Sequence, residues 1–306
     1  YLVGVAALLA RGWGRLRGVG WSFSRDLARR FLRFGAGVGL GLLGVTLLTQ
    51  LDNLLVGSLV GVAVLGYYDR AYRTAQWPGT LLNALIARTG FYTYARLQDD
   101  AERLGRALRM MVWLIAALAL PVALAVFVAA PDLLVLLYGE RWLPSVPYLR
   151  VLALVAGARP LVDNANTLFA AVGKPWLAAR LTGAQVAVLA AAGLPLVWRW
   201  GALGACLAVA LATGAGLFLV LRRLDDAVPG TARELVAPAL AAVVALAGGL
   251  AIGGLPFVSA LGVGLRVAVK AGGAATLFAV ATVAVQPRQA RERVAYVMRL
   301  ARAERE

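Results

Sequence analysis

Long apolar runs separated by short basic or Gly/Pro-containing connections set the pattern of this chain. Eight runs can be marked, at about 34–58, 67–93, 109–130, 147–170, 177–198, 201–221, 235–256 and 261–285. Each comes near the roughly 20 residues an α-helix needs to cross a bilayer. The pattern predicts an all-α polytopic membrane protein with eight transmembrane helices. Two basic segments are amphipathic instead. In "WSFSRDLARRFLRF", Phe23, Leu27, Phe31 and Phe34 recur at helical spacing while Arg25, Arg29, Arg30 and Arg33 lie elsewhere. This predicts a helix lying at the membrane interface, N-capped by Ser24. The tail from Gln286 repeats the pattern more weakly. "YLVGVAALL" at 1–9 reads as the end of a helix that begins upstream, so the chain is expected to be a C-terminal portion.

Composition sharpens this picture. Of 306 residues, 61% are hydrophobic and only 15% charged, and the mean hydropathy is +0.77. A soluble domain needs more polar surface. One cysteine, Cys206, gives no disulfide framework, and the lack of histidine removes the commonest general base and metal ligand. No cofactor is expected, and without a phosphate-binding glycine loop ATP-driven transport is not expected either. The net charge of +16 suggests nucleic acid at first sight, but its distribution is topological. Arginines crowd residues 11–33, alternate connections, and the tail after Pro287, while the intervening connections hold few. This is the positive-inside asymmetry, and it predicts that residues 10–33 and 286–306 are cytoplasmic.

Polar groups inside the spans carry the candidate chemistry. "TLLTQLDNLLVG" places Asp52 and Asn53 in an apolar run, where an ionised carboxylate is costly and usually functional. The glycines at 35, 37, 39, 41 and 44 make either a close-packing face or a bendable helix. In the second span Arg73, Gln76, Thr80 and Asn83 share one face, which must meet protein or water. Pro78 would bend that helix, Arg88 lies on a neighbouring face, and Asp69 is placed to pair with Arg73. The fourth span carries Arg159, Asp163, Asn164 and Asn166 beside Pro160. Arg159 and Asp163 either neutralise each other four residues apart or serve a site. Lys270 and Arg266 sit in a last pair of spans that otherwise looks peripheral. Asp52, Asn53, Asp163 and Asn164 offer oxygen ligands for coupling to Na⁺ or H⁺. Arg70, Arg73, Arg88 and Arg159 offer cations for an anionic substrate.

The blocks "LDNLLVGSLVGVAVLGYYDRAYRTAQWP", "ARLQDD", "LLYGERWLPSVPYLRVLAL" and "AAVGKP" resemble the polysaccharide-biosynthesis flippases of the multidrug/oligosaccharidyl-lipid/polysaccharide exporter superfamily. The resemblance runs from about Phe23 to Arg223. It implies two six-helix lobes around a cavity, alternating access, and translocation of undecaprenyl-diphosphate-linked oligosaccharide, usually coupled to an ion gradient. Residues 34–221 would then be the second lobe, 10–33 the inter-lobe linker, 222–234 a cytoplasmic loop, and 235–285 two additional helices. The partner implied is a first lobe outside this chain, with lipid-linked oligosaccharide and membrane lipids around it. Cavity contacts to the diphosphate would fall to Arg70, Arg73, Gln76, Asn83, Arg88 and Arg159. Asp52 and Asp163 match, by helix number and type, the acidic pair of a cation site in drug-exporting relatives.

Two other readings compete. A membrane glycosyltransferase, ligase or polymerase would draw on Asp132, Glu140, Arg141 and Arg150, which show no paired-carboxylate geometry. A small-molecule exporter of the same superfamily would prefer an acidic cavity, against the arginine excess of the second span.

Overall fold

The computed structural model describes residues 24–287, except the side chains of Pro78 and of residues 81–89. The expected helix end at 1–9, the linker up to 23 and the tail beyond 287 lie outside the described residues. So do the side chains of Asn83 and Arg88. All regular structure among the described residues is helical.

Helix α1 spans Arg25–Leu59, and Ser24 caps it by accepting a hydrogen bond from the Leu27 amide at 3.3 Å. The cap falls where the sequence places it. The helix then continues unbroken for 35 residues, so the predicted interface helix and the first span are one element. Nothing in "RRFLRFGAGVG" stops a helix: it holds no proline, and each glycine costs only about 1 kcal/mol relative to alanine.

Gly61, at φ 117°, turns the chain into α2, Val62–Leu97. Asp100 caps α3, Ala101–Tyr138, by accepting from the Arg103 amide at 3.0 Å. A 3₁₀ turn, Glu140–Ser145, leads into α4, Val146–Ala171. The long element Pro175–Ala227 breaks at Gly201 (φ 57°, ψ −138°) into α5 (175–200) and α6 (202–227). Leu196 touches Gly204 and Gln185 touches Gly216 across this break, so the two halves run antiparallel. A side chain at Gly204 would sit 1.9 Å from the Leu196 carbonyl oxygen, which restricts that position to glycine. Then follow α7, Val236–Gly253, and α8, Val263–Val285, joined through a short turn at Pro256–Ser259. Among the described residues, six helices are long and apolar enough to cross a membrane; the Gly201 break makes one of them two, and α2 is more polar than the rest. Eight crossings result, in the predicted order.

The core lies between α2, α3, α4 and the α5–α6 hairpin. Val56, Tyr68, Leu134, Leu149 and Cys206 pack near the Gly61, Gly139 and Gly201 turns. Tyr94, Leu108, Ile115, Phe169 and Val220 pack at the opposite, basic end. Helix α1 leans on the hairpin and buries only Gly37, Gly44, Asp52 and Val56. Two of its glycines permit this approach: a Cβ would meet Trp176 at 3.1 Å from Gly37 and Thr182 at 2.7 Å from Gly44. Gly35, Gly39 and Gly41 face open space.

The last two helices pack on α3 and are tied to it by charge. Lys270 Nζ donates to Asp132 Oδ2 at 2.6 Å, and Arg266 Nε lies 3.3 Å from the other carboxylate oxygen. The two cations, four apart, share a face of α8 and meet a buried carboxylate. Breaking a buried pair leaves an uncompensated charge and costs about 3–5 kcal/mol. Asp132→Ala is therefore expected to lower the melting temperature in detergent and to speed proteolysis in the 254–262 connection. Asp132→Leu combined with Arg266→Met and Lys270→Met should recover most of the loss. An unchanged melting curve in Asp132→Ala would show that the pair does not hold α8.

Candidate functional site

Asp52 lies nine residues before the Gly61 turn and Tyr68 seven after it, so the hairpin brings them to one depth. Both are fully buried. The Tyr68 hydroxyl donates to Asp52 Oδ2 at 2.5 Å, and the Asn53 amide donates to Oδ1 at 2.8 Å. The first length is that of a hydroxyl bonded to a carboxylate, about twice as strong as a neutral hydrogen bond. The surroundings are apolar, with Val56, Ala71 and Cys206 in the same cluster.

One turn along α2, the Tyr72 ring lies 6.2 Å from that of Tyr68. Its hydroxyl accepts from Arg159 Nη1 at 3.3 Å and is also hydrogen-bonded by Gln76. Arg159 is within electrostatic reach of Asp52. It also lines a cavity of about 20 Å³ with Asp163, Asn166, Thr182, Gln185 and Thr213. That volume suits a single water. The buried Asn166 Oδ1 lacks a protein donor, and a polar atom of this kind is commonly satisfied by such a water. Gln185 reaches the cavity because Gly216 leaves it room; a Cβ there would lie 2.3 Å from the Gln185 side chain. A polar track thus crosses the core from Asp52 through Tyr68, Tyr72 and Arg159 to the α5–α6 hairpin.

The expected oxygen ligands do not gather into one set. Asn53 turns its amide back to the Thr49 carbonyl at 3.4 Å. Asn164 is buried toward the basic end and accepts from the Tyr94 hydroxyl at 3.0 Å. Asp163 faces the polar cavity, while Asp52 is held by Tyr68. Adjacent helical positions lie about 100° apart, so Asn53 and Asn164 leave their helices in other directions than Asp52 and Asp163.

The arginines also separate. Arg70 stacks on Tyr138 and Trp142, 4.8 and 5.0 Å from the ring centroids, with Tyr67 edge-on to Trp142 at 5.6 Å. It braces the α2–α3 end. Arg73 pairs with Asp69 at 2.7 Å on an exposed face that continues through Trp77 and Thr80. Among the predicted cations with described side chains, only Arg159 enters the buried track. The sequence reading missed Tyr68 and Tyr72. The signal was present in "YYDRAYR": two tyrosines four apart, mirrored against Asp52 about Gly61.

The bundle of long apolar helices holds a carboxylate and an arginine in its interior, a combination that membrane proteins keep for function. Residues 8–147 match the family described as polysaccharide biosynthesis protein. The chain is 30% identical over 152 residues to the lipopolysaccharide biosynthesis protein WzxC of Escherichia coli, covering 50% of this chain and 31% of that protein. It is 26% identical over 129 residues to the teichuronic acid biosynthesis protein TuaB of Bacillus subtilis, covering 42% and 27%. It is 25% identical over 108 residues to the succinoglycan biosynthesis transport protein ExoT of Rhizobium meliloti, covering 35% and 22%. The matched regions thus span less than a third of each of these relatives. In fold it resembles an outward-facing multidrug resistance MATE family transporter of the MOP superfamily, with a TM-score of 0.54 and 15% identity. That likeness covers 82% of this chain and 64% of the transporter. In sequence the chain is thus similar to polysaccharide-biosynthesis proteins over part of its length, and in fold to a MATE family transporter.

Removing the Tyr68 hydroxyl leaves a buried carboxylate with one donor fewer, a loss of about 1–3 kcal/mol. Tyr68→Phe should lower the melting temperature in detergent, and Asp52→Leu in the same chain should offset part of the drop. Equal melting of Tyr68→Phe and the parent would mean that the bond contributes nothing.

Proposed function

We propose that this chain forms one lobe of an alternating-access carrier that moves a lipid-diphosphate-linked oligosaccharide across a bacterial inner membrane. The transport step is driven by an ion gradient, with Asp52 as the coupling group. The observation that carries this reading is the fully buried Asp52 with Tyr68 as its hydroxyl partner and Arg159 in electrostatic reach. Intramembrane carboxylates of this kind mark ion and proton pathways. The names of the relatives, which concern lipopolysaccharide, teichuronic acid and succinoglycan, support the substrate class.

Two features support a lobe that works against a second body. Helix α1 buries little of its surface, and the Asp69–Arg73–Trp77–Thr80 face of α2 is exposed. A polar helix face needs protein or water against it within a bilayer. The donor set favours H⁺ over Na⁺: one carboxylate with one hydroxyl partner suffices for a proton, whereas a hard metal cation needs a cage of oxygens. In this reading Arg73, Arg88 and Arg159 supply cations for the diphosphate. Three of the four residues a glycosyltransferase or ligase would draw on have other engagements. Asp132 is ion-paired, Arg141 lies over Trp142, and Arg150 lies over Phe127.

The test is leaflet exchange of lipid-diphosphate oligosaccharide in liposomes, with this chain joined to the second lobe and with proton or sodium gradients imposed separately. Exchange should respond to the proton gradient, and Asp52→Asn should fall to the rate seen without one. Exchange in Asp52→Asn that keeps the parent's gradient dependence would overturn the assignment. Arg88→Ala should raise the concentration of substrate needed for half-maximal exchange by about tenfold, the loss of one charge-assisted contact. An unaltered half-maximal concentration would remove Arg88 from the diphosphate site.

A further inference from the structure

We propose that the basic end of α1 seats an anionic glycerophospholipid, its phosphate among Arg30, Arg33 and Lys174 and one acyl chain between α1 and α2. A cavity of about 440 Å³ opens there, lined by these three cations with Gly173, Pro175 and Trp176. No carboxylate lines it, and none of the three cations has an ion-pair partner among the described residues. The charges come from two elements that are locked together. Gly173, at φ 74°, makes the α4–α5 turn, and the Trp176 indole N–H donates to the Arg33 carbonyl at 2.8 Å. The phosphate seat is therefore preformed in its backbone, and its guanidinium groups match a phosphate's oxygens.

A second cavity, of about 540 Å³, adjoins the first through Pro175. It runs between α1 and α2 along Gly37, Gly41, Leu42, Phe91, Ala170 and Ala178, and its lining is mainly apolar. Arg33 and Gly37 stand one turn apart on α1, so the charged seat passes directly into the groove. A basic pocket between helices at the membrane boundary, opening into an apolar cleft, is complementary to a phosphate-headed lipid. The groove is sized for a single acyl chain and is far smaller than a long isoprenoid tail. That favours an ordinary membrane phospholipid over an isoprenoid diphosphate. The inference holds whatever the carrier moves.

Native mass spectrometry of the purified chain would test it, with phosphatidylglycerol, phosphatidylcholine and undecaprenyl phosphate added in separate titrations. Phosphatidylglycerol should bind at least about tenfold more tightly than phosphatidylcholine. The variant Arg30→Gln/Arg33→Gln/Lys174→Gln should lose that preference. Gly41→Leu places its side chain where nothing lies within 4 Å of a Cβ. It should weaken phosphatidylglycerol binding about tenfold without lowering the melting temperature. Equal binding of the two phospholipids to the parent would overturn the proposal, as would a preference that survives the triple substitution. Undecaprenyl phosphate displacing phosphatidylglycerol at lower concentration, with the same sensitivity to Gly41→Leu, would overturn it by assigning the groove to an isoprenoid. Unchanged phosphatidylglycerol binding in a folded Gly41→Leu would remove the acyl chain from the groove.

Discussion

A polar group inside hydrocarbon has no water to turn to, so it must find its partner within the protein or forfeit several kcal/mol. The interior of this bundle is organised by that constraint. Asp52 takes Tyr68, Asn164 takes Tyr94, Asp132 takes Lys270, and Arg70 takes the faces of Tyr138 and Trp142. Each pairing joins two different helices, so each also fixes a helix–helix register that apolar packing would leave loose. Lipid tails are as apolar as leucine, and side-chain packing alone discriminates little between one register and the next. The polar pairs therefore act as locators for the spans as well as candidate chemistry.

The spans were legible because hydrocarbon thickness sets a length and the chain keeps to it. The hairpin at Gly201 was legible as well: the predicted gap between 198 and 201 falls on the break. The Asp69–Arg73 pair followed from helical spacing alone, and the structure holds it at 2.7 Å. What the pattern could not give was partnership between helices. Arg70 and Arg73 look alike in sequence, yet one is enclosed by aromatic rings and the other is exposed. The difference lies in which face of α2 meets the α3 terminus, a tertiary fact. Asp132 and Lys270 stand 138 residues apart, and no periodicity links them. The sequence reading grouped Asp52, Asn53, Asp163 and Asn164 by chemistry, and helical geometry then divided neighbours that composition had joined.

Arg159 occupies the position where the buried features meet. It bonds Tyr72, acts electrostatically on Asp52, and forms part of the cavity that Asp163 and Gln185 also line. A cation so placed stands between the α1 carboxylate and the polar interior of the hairpin. Helix α1 rests lightly beside it. Its contacts with the rest of the bundle are few, and its buried glycines keep it close to the hairpin without interlocking side chains.

The Asp132 ion pair has a consequence for how the protein is made. A lysine and an arginine within one span each oppose insertion, by up to about 2.5–3.5 kcal/mol at the centre of a membrane helix. Helix α8 carries both, and it is the last of the described spans to leave the ribosome. Helix α3, with its carboxylate, is synthesised far earlier and is already in the bilayer when α8 arrives. The chain thus stores a counter-charge in advance, and the order of synthesis makes α3 the docking surface on which α8 completes its insertion.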